Sequence, residues 1–312
     1  MASQPACAAG TADRQPPQGG CAAGRSIRRR SRSHAARGGK LGHLVEHARE
    51  YADFLGAGTD AAVNPGYSNG NNAQQNPTYQ NVGFTTSGSD QGNHDFYRAN
   101  AYAVNFYNST NDPRARRFYD TNSTGVVRGR AFGSQDGSEH NLVISPIGPG
   151  ILQAASQSAY ILPATESLFL QAEAVQRGYI GIGGFGNMDS LYRTALSESF
   201  RILGVDSTVK RASVYDNQSN SKTNWSQASN PLTFLLTQEW AALNMYDPLT
   251  AWNNWKRLKI PADLPVSIYP GTTAPHIPVR LQYPVSEYTS NSANVTAQGA
   301  IDIINGKIFW MP

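Results

Sequence analysis

Residues 164–203 read ATESLFLQAEAVQRGYIGIGGFGNMDSLYRTALSESFRIL. Ala164, Leu168, Ala172 and Val175 recur at helical spacing directly after Pro163. Met188, Leu191, Tyr192, Ala195, Leu196, Phe200, Ile202 and Leu203 repeat that apolar stripe. Such spacing predicts two amphipathic helices, over 164–177 and 188–203. The glycine-rich stretch 178–186 joins them, and Gly204 stands where a C-cap glycine belongs. Leu168 and Ala172 should therefore face Leu191 and Ala195 across a buried seam.

Two antiparallel helices of this length resemble one tetratricopeptide-type unit, which cannot close a core by itself. The helices needed to complete it lie downstream. Leu232, Leu235, Leu236, Trp240 and Leu243 predict a third helix over 231–246, and Leu249, Trp252 and Trp255 a fourth over 248–258. Trp240, Trp252 and Trp255 then sit on helical faces, where packing is the default role. After Pro261 the chain is proline-rich and reads as irregular. The expected fold class is mainly α: tetratricopeptide-like helix pairs with long irregular loops and few short strands.

Upstream the character changes. A short helix is expected over 42–55. Between Asn64 and Asn111 there are eleven asparagines, with Tyr67, Tyr79, Phe84, Phe96, Tyr97, Tyr102, Phe106 and Tyr107 threaded among them. Asn and Gly tolerate turn conformations and bond to their own backbone, so 56–95 reads as long ordered loops, followed by a helix over 96–108. Short strands are expected at 124–128 and 142–145. Aromatic faces beside amides suit a sugar, since the ring stacks on the apolar C–H face and the amides bond the hydroxyls. The same rings also suit a role as anchors pinning the loops to a core. The candidate ligand-binding set is Tyr67, Asn69, Asn71, Tyr79, Phe96, Tyr97 and Asn100.

The chain of 312 residues carries a net charge of +4, but that charge is segregated. Residues 1–40 hold eight of the 26 Lys and Arg and one of the 22 acids, so the remaining 41–312 is mildly acidic. Segment 1–40 also holds both cysteines and one large aliphatic residue after Met1, Ile27. It is expected to be a disordered basic leader, read as a gene-start artefact in preference to a nucleic-acid arm, with 41–312 as the folded body and no nucleic acid as partner. It lacks the apolar run of a secretory signal, and no stretch of eighteen apolar residues exists to span a membrane.

Motifs for catalysis are missing. Gly181-Ile-Gly183-Gly-Phe-Gly186 has dinucleotide spacing but follows a helix, not a strand. No Walker loop, HExxH, paired-Cys zinc spacing or GxSxG elbow occurs. His43 and His47 lie four apart without a third ligand nearby. No metal or cofactor is expected. Asp and Glu are sparse, and no spacing marks a glycosidase pair.

Three segments carry a family resemblance. The first is Leu162-Pro-Ala-Thr-Glu166-Ser-Leu-Phe-Leu-Gln-Ala172-Glu173-Ala174. The second is Gln238-Glu-Trp240-Ala-Ala-Leu243 followed by Ala251-Trp252-Asn-Asn-Trp255-Lys-Arg257-Leu-Lys-Ile-Pro261. The third is Ile277-Pro278-Val-Arg280-Leu-Gln-Tyr283-Pro284-Val-Ser-Glu287 with Asn291 and Asn294, and Trp310 sits near the end. In order and spacing these resemble the SusD/RagB family of nutrient-binding outer-membrane lipoproteins of Bacteroidota. Asn64-Pro65-Gly66-Tyr67-Ser68-Asn69 and Phe96-Tyr97-Arg98-Ala99-Asn100 resemble its SusD-like lipoprotein branch, so the likeness covers about residues 50–312. The resemblance implies non-catalytic capture of oligosaccharide or peptide at the cell surface, with a SusC-like TonB-dependent transporter as partner. Family members are longer and begin with a lipoprotein signal, so the chain reads as the C-terminal portion of such a protein behind an unrelated leader. A surface glycoside hydrolase and a truncated product without independent function are the competing readings. Arg280, beside Tyr283 and Glu287, is expected to tie the closing loop to the helices by a charge-assisted contact.

Overall fold

The computed structural model describes residues 54–180, 187–205, 212–272 and 276–308. The basic segment 1–40, most of the expected 42–55 helix, the Gly181–Gly186 motif and Trp310 lie outside the described residues. In chain order the elements are β1 (Ala61–Val63), α1 (Pro77–Val82), α2 (Ala101–Ser109), α3 (Ala115–Phe118) and β2 (Ala159–Leu162). Then follow α4 (Ala164–Gln176), α5 (Met188–Leu203), α6 (Ala212–Asp216), α7 (Pro231–Leu243), α8 (Pro248–Leu258), α9 (Val285–Ser290) and α10 (Ser292–Ala297). The fold is mainly α.

The four long helices fall where the apolar periodicity puts them. Leu168, Ala172, Leu191 and Ala195 are all buried, with Ala172 and Ala195 fully enclosed. Gly204 ends α5 in the left-handed region at φ 65°, a conformation that a Cβ would oppose. Asparagine starts several helices: Asn187 accepts from the Ser190 N–H, Asn230 from Thr233, and Asn76 from both Thr78 and Tyr79.

Two apolar clusters share two helices. One gathers α4, α5, α6 and α7 around Phe169, Tyr192, Leu196 and Leu235. The other gathers α2 and α3 around Tyr107 and Phe118 and takes Ile202 and Leu203 from the end of α5 and Ala241 from α7. The Tyr107 hydroxyl donates to the Ala241 carbonyl at 2.8 Å, fastening α2 to α7. Between the clusters lies a wholly buried ion pair. Arg114 donates from Nη2 to Asp112 Oδ2 at 2.7 Å and from Nη1 to Ser199 Oγ at 2.9 Å. Its guanidinium sits 5.2 Å from the Phe200 ring centre and 5.4 Å from that of Tyr215.

Several expectations need correction. The helix expected at 96–108 starts only at Ala101, because Asn100 takes the cap position and its Oδ1 accepts the Tyr102 N–H. The stretch expected as pure loop, 56–95, contains β1 and α1. Neither 124–128 nor 142–145 forms a strand; the two are joined through single bonds such as Ser145 N–H to the Arg128 carbonyl at 2.9 Å. The one sheet among the described residues pairs β1 with β2, antiparallel. The tail after Pro261 carries α9 and α10. Among the described residues Arg280 makes no ion pair, and Glu287 instead accepts from Asn291 Nδ2 at 2.9 Å. Trp240 packs against the cluster around Tyr107, as expected of it, though none of Trp240, Trp252 and Trp255 is fully buried.

Candidate functional site

The start of α2 brings the chain's polar loops against the motif helices. Asn100 caps that start, and Tyr102, the second residue of the helix, packs edge-on against Trp240 of α7 with ring centres 5.4 Å apart. Phe106 meets the same tryptophan at 5.5 Å. The Tyr102 hydroxyl donates to Asp263 Oδ1 at 2.6 Å, and burial together with that carboxylate pushes the phenol well above its ordinary range. Trp252 of α8 donates its indole N–H to the Pro278 carbonyl at 3.0 Å, while the Lys256 ammonium lies 3.8 Å from its ring centre. The segment following α8 is thus tied back over the helices.

Phe132 completes the arrangement from the other side. The Ile268 N–H donates to the Phe132 carbonyl at 2.9 Å. At Gly133, with φ 81°, a Cβ would fall 2.3 Å from Ser267 Oγ and 2.8 Å from the Tyr269 nitrogen. Only glycine lets the two segments approach this closely. The result is a hollow of about 630 Å³ lined mainly by Tyr102, Tyr119, Phe132, Trp240, Trp252 and Asn244. That size and its ring-rich wall with sparse amides are those of a small-ligand site.

A second hollow, of about 370 Å³, adjoins the first through Asn100 and Phe132. It adds Phe96, Arg98, Arg130, Glu139 and Asn141. Arg98 is paired with Asp95, and Arg130 Nε lies 3.6 Å from Glu139 Oε2. Phe96 is 81% exposed and Phe132 53%, so both rings present faces to solvent at the rim.

Of the residues expected from sequence, Phe96 and Asn100 come together in this second hollow, and Tyr97 is exposed beside Phe96. Asn69 accepts from Gln75 Nε2 at 2.7 Å, and the same amide donates to the Phe84 carbonyl. Asn71 caps a short turn through the Ala73 N–H. Tyr79 packs on Phe84, whose ring lies 4.9 Å from that of His94, two residues before Phe96. The Tyr67 N–H is held by Asn64 Oδ1, and its ring is half-buried. None of these four lines either hollow; Tyr79, through Phe84 and His94, packs beside the turn that carries Phe96.

Tyr102, Phe132 and Asn244 lie outside the set expected from sequence, in which the tryptophans have a packing role. Trp240 and Trp252 had a signal in the Gln238-Glu-Trp240 and Ala251-Trp252 segments. Phe132 had none, because its place depends on contact with residues 267–269. Among the described residues no group of three His, Cys, Asp or Glu side chains could hold a metal.

Comparison with known proteins places the chain in a family. The model of a SusD-like family described as starch-binding associating with outer membrane matches residues 52–284. No curated protein matches the chain. Among solved structures, a chitin-binding SusD homologue from Flavobacterium johnsoniae is 24% identical, with a TM-score of 0.55 over 68% of this chain and 49% of that one. A SusD homologue from Bacteroides vulgatus is 21% identical, with a TM-score of 0.54 over 67% and 48%. One from Bacteroides thetaiotaomicron is 20% identical, with a TM-score of 0.62 over 88% and 59%. The likeness is one of fold, and the chain spans about half the length of the first two structures.

Proposed function

The chain belongs to the SusD-like family of starch-binding proteins associating with the outer membrane, and from that premise we propose that it binds a neutral oligosaccharide in the ring-lined hollow at the start of α2. The observation that carries this reading is the convergence of Tyr102, Phe132, Trp240 and Trp252 on one cavity with Asn100 and Asn244 at its edge. Rings offer faces to the C–H surfaces of a pyranose, and amides both donate to and accept from its hydroxyls. Phe96, Tyr97 and Asn100 extend that surface outward, and Tyr79 supports the loop from which they project through Phe84 and His94. Binding occurs without turnover: the carboxylates of the second hollow, Asp95 and Glu139, face arginines at ion-pair distance. In the cell the ligand would be captured at the outer-membrane surface and passed to a TonB-dependent transporter of the SusC type, with peptide as the alternative cargo.

Calorimetry of the chain against maltohexaose, hexaacetyl-chitohexaose and a peptide panel tests the reading, with Phe132→Ala beside wild type. One lost stacked ring removes about 1–2 kcal/mol, or about five- to thirtyfold in affinity. A peptide bound in preference to both sugars, or release of reducing ends on prolonged incubation, would overturn it.

A further inference from the structure

We infer that the smaller hollow is the subsite that reads the sugar, taking one uncharged, hydroxyl-bearing ring between Arg98, Arg130 and Glu139. This rests on the glycan-binding reading above and adds a specific chemistry to it.

Ten buried side-chain atoms among the described residues have no hydrogen-bond partner, and three of them, Arg98 Nε, Arg130 Nε and Glu139 Oε2, belong to residues lining this one cavity. Folded chains rarely leave such atoms unpaired, and a cluster of them at a cavity marks where a ligand's polar groups belong. The side chains themselves are held in place. Arg98 Nη1 donates to the His94 and Tyr97 carbonyls at 3.3 and 3.2 Å, and Arg130 Nη2 to the Ser134 carbonyl at 2.9 Å. Each guanidinium is therefore positioned by its terminal nitrogens and keeps its Nε–H in reserve.

The leftover groups define the ligand. Two are donors and one is an acceptor. Arg130 Nε and Glu139 Oε2 stand 3.6 Å apart, too far to bond each other well and close enough for one inserted atom to touch both. That atom must accept from the first and donate to the second. A hydroxyl oxygen does both; an amide divides the two tasks between separate atoms, and a carboxylate cannot donate.

Charge points the same way. Arg98 faces Asp95, Arg128 and Arg130 face Glu139, and the Asp136 carboxylate also interacts with Arg128 and Arg130. Three cations meet three anions, so no uncompensated cation is left for an acidic sugar. The exposed rings of Phe96 and Phe132 flank the hollow and supply the faces that a pyranose stacks on. The larger hollow at the far end of α2, about 660 Å³, lacks this character. Its Asp112 carboxylate is closed on Arg114, and its Gln218 amide donates to the Thr110 and Tyr215 carbonyls.

Titration of the full chain with maltohexaose, hexaacetyl-chitohexaose and hexagalacturonic acid tests the subsite. Affinity would be read by calorimetry, and the Arg98 and Arg130 Nε–H resonances by nitrogen-15 NMR, assigned through Arg98→Lys and Arg130→Lys. We expect a neutral hexasaccharide to shift both resonances, Glu139→Gln and Arg130→Lys each to weaken it about tenfold or more, and the acidic sugar to bind more weakly. Unchanged urea midpoints in the variants would show that the fold is intact; should a variant unfold, the wild-type resonances still decide. A neutral sugar that binds, responds to Phe132→Ala and leaves both resonances in place would overturn the subsite while sparing the glycan reading. Tighter binding of hexagalacturonic acid would overturn the neutral class. No binding of any probe would remove both.

Discussion

Glu239 is the residue whose surroundings and charge conflict most. It is buried on α7, and neither carboxylate oxygen has a hydrogen-bond partner among the described residues. Burial, then the negative charge of Glu173, pushes its carboxyl up to about 8. Glu173 goes the other way: burial raises it, but Arg257 and Arg177 outweigh burial and hold it below its usual range. The native state therefore keeps a proton on Glu239 that the unfolded chain, with an ordinary value of 4.5, releases earlier. Stability from this group is full below pH about 4.5, falls as pH rises toward 8, and stays lost above that. Glu239→Gln should be close to wild type in urea unfolding at pH 4.5 and more stable by a few kcal/mol at pH 9; an equal gap at both values would contradict this. Arg114 presents the opposite problem. Arg114→Met would leave Asp112 buried without its partner and should cost about 3–5 kcal/mol, with much of the loss recovered when Asp112→Leu is added. Unfolding of both variants in urea reads the difference.

At the level of elements, what the sequence made legible follows from range. The helices α4, α5, α7 and α8 announce themselves because Leu168, Leu191, Leu235 and their neighbours repeat within a few residues, and a period needs no distant partner. The strands β1 and β2 give no such signal: each is three or four residues long, and Ala61 pairs with Leu162, just over a hundred positions away. The helix α1 was within reach, since Asn76-Pro77 is a cap followed by a first-turn proline. The asparagine-rich loops misled for a related reason. Composition could not separate an amide that bonds its own backbone, as Asn71 does, from one available to a ligand. Seam and cap each give a prediction. Ala195→Asp places a charge in the α4–α5 seam and should cost about 3–5 kcal/mol by thermal unfolding. Asn230→Ala removes the cap of α7 and should cost about 1 kcal/mol; a loss as large as that of Ala195→Asp would mean that Asn230 does more than cap.

The whole molecule draws its ligand wall from segments remote in sequence: Phe96–Asn100, Phe132, the face of α7 and the segments at 264–272 and 276–278. None of these is a site alone, which explains why a list of loop rings captured only one edge of it. A ligand held by all of them stabilises the folded chain, and maltohexaose at one hundred times its dissociation constant should add about 2.7 kcal/mol, visible as a rise in unfolding temperature. The choice of helix caps has a different consequence. Asn76, Asn100, Asn187 and Asn230 start α1, α2, α5 and α7 with side chains that never ionise, and Asp247 of α8 is the one carboxylate in that position among these caps. Acid and salt therefore find little to act on in these four caps themselves; the nearest charge, Asp189 in the first turn of α5, is paired with Arg193 at 2.9 Å. The amide caps of α1, α2, α5 and α7 thus keep one charge state at every pH and ionic strength, so the hydrogen bonds that fix where these helices begin need no proton and no counter-ion.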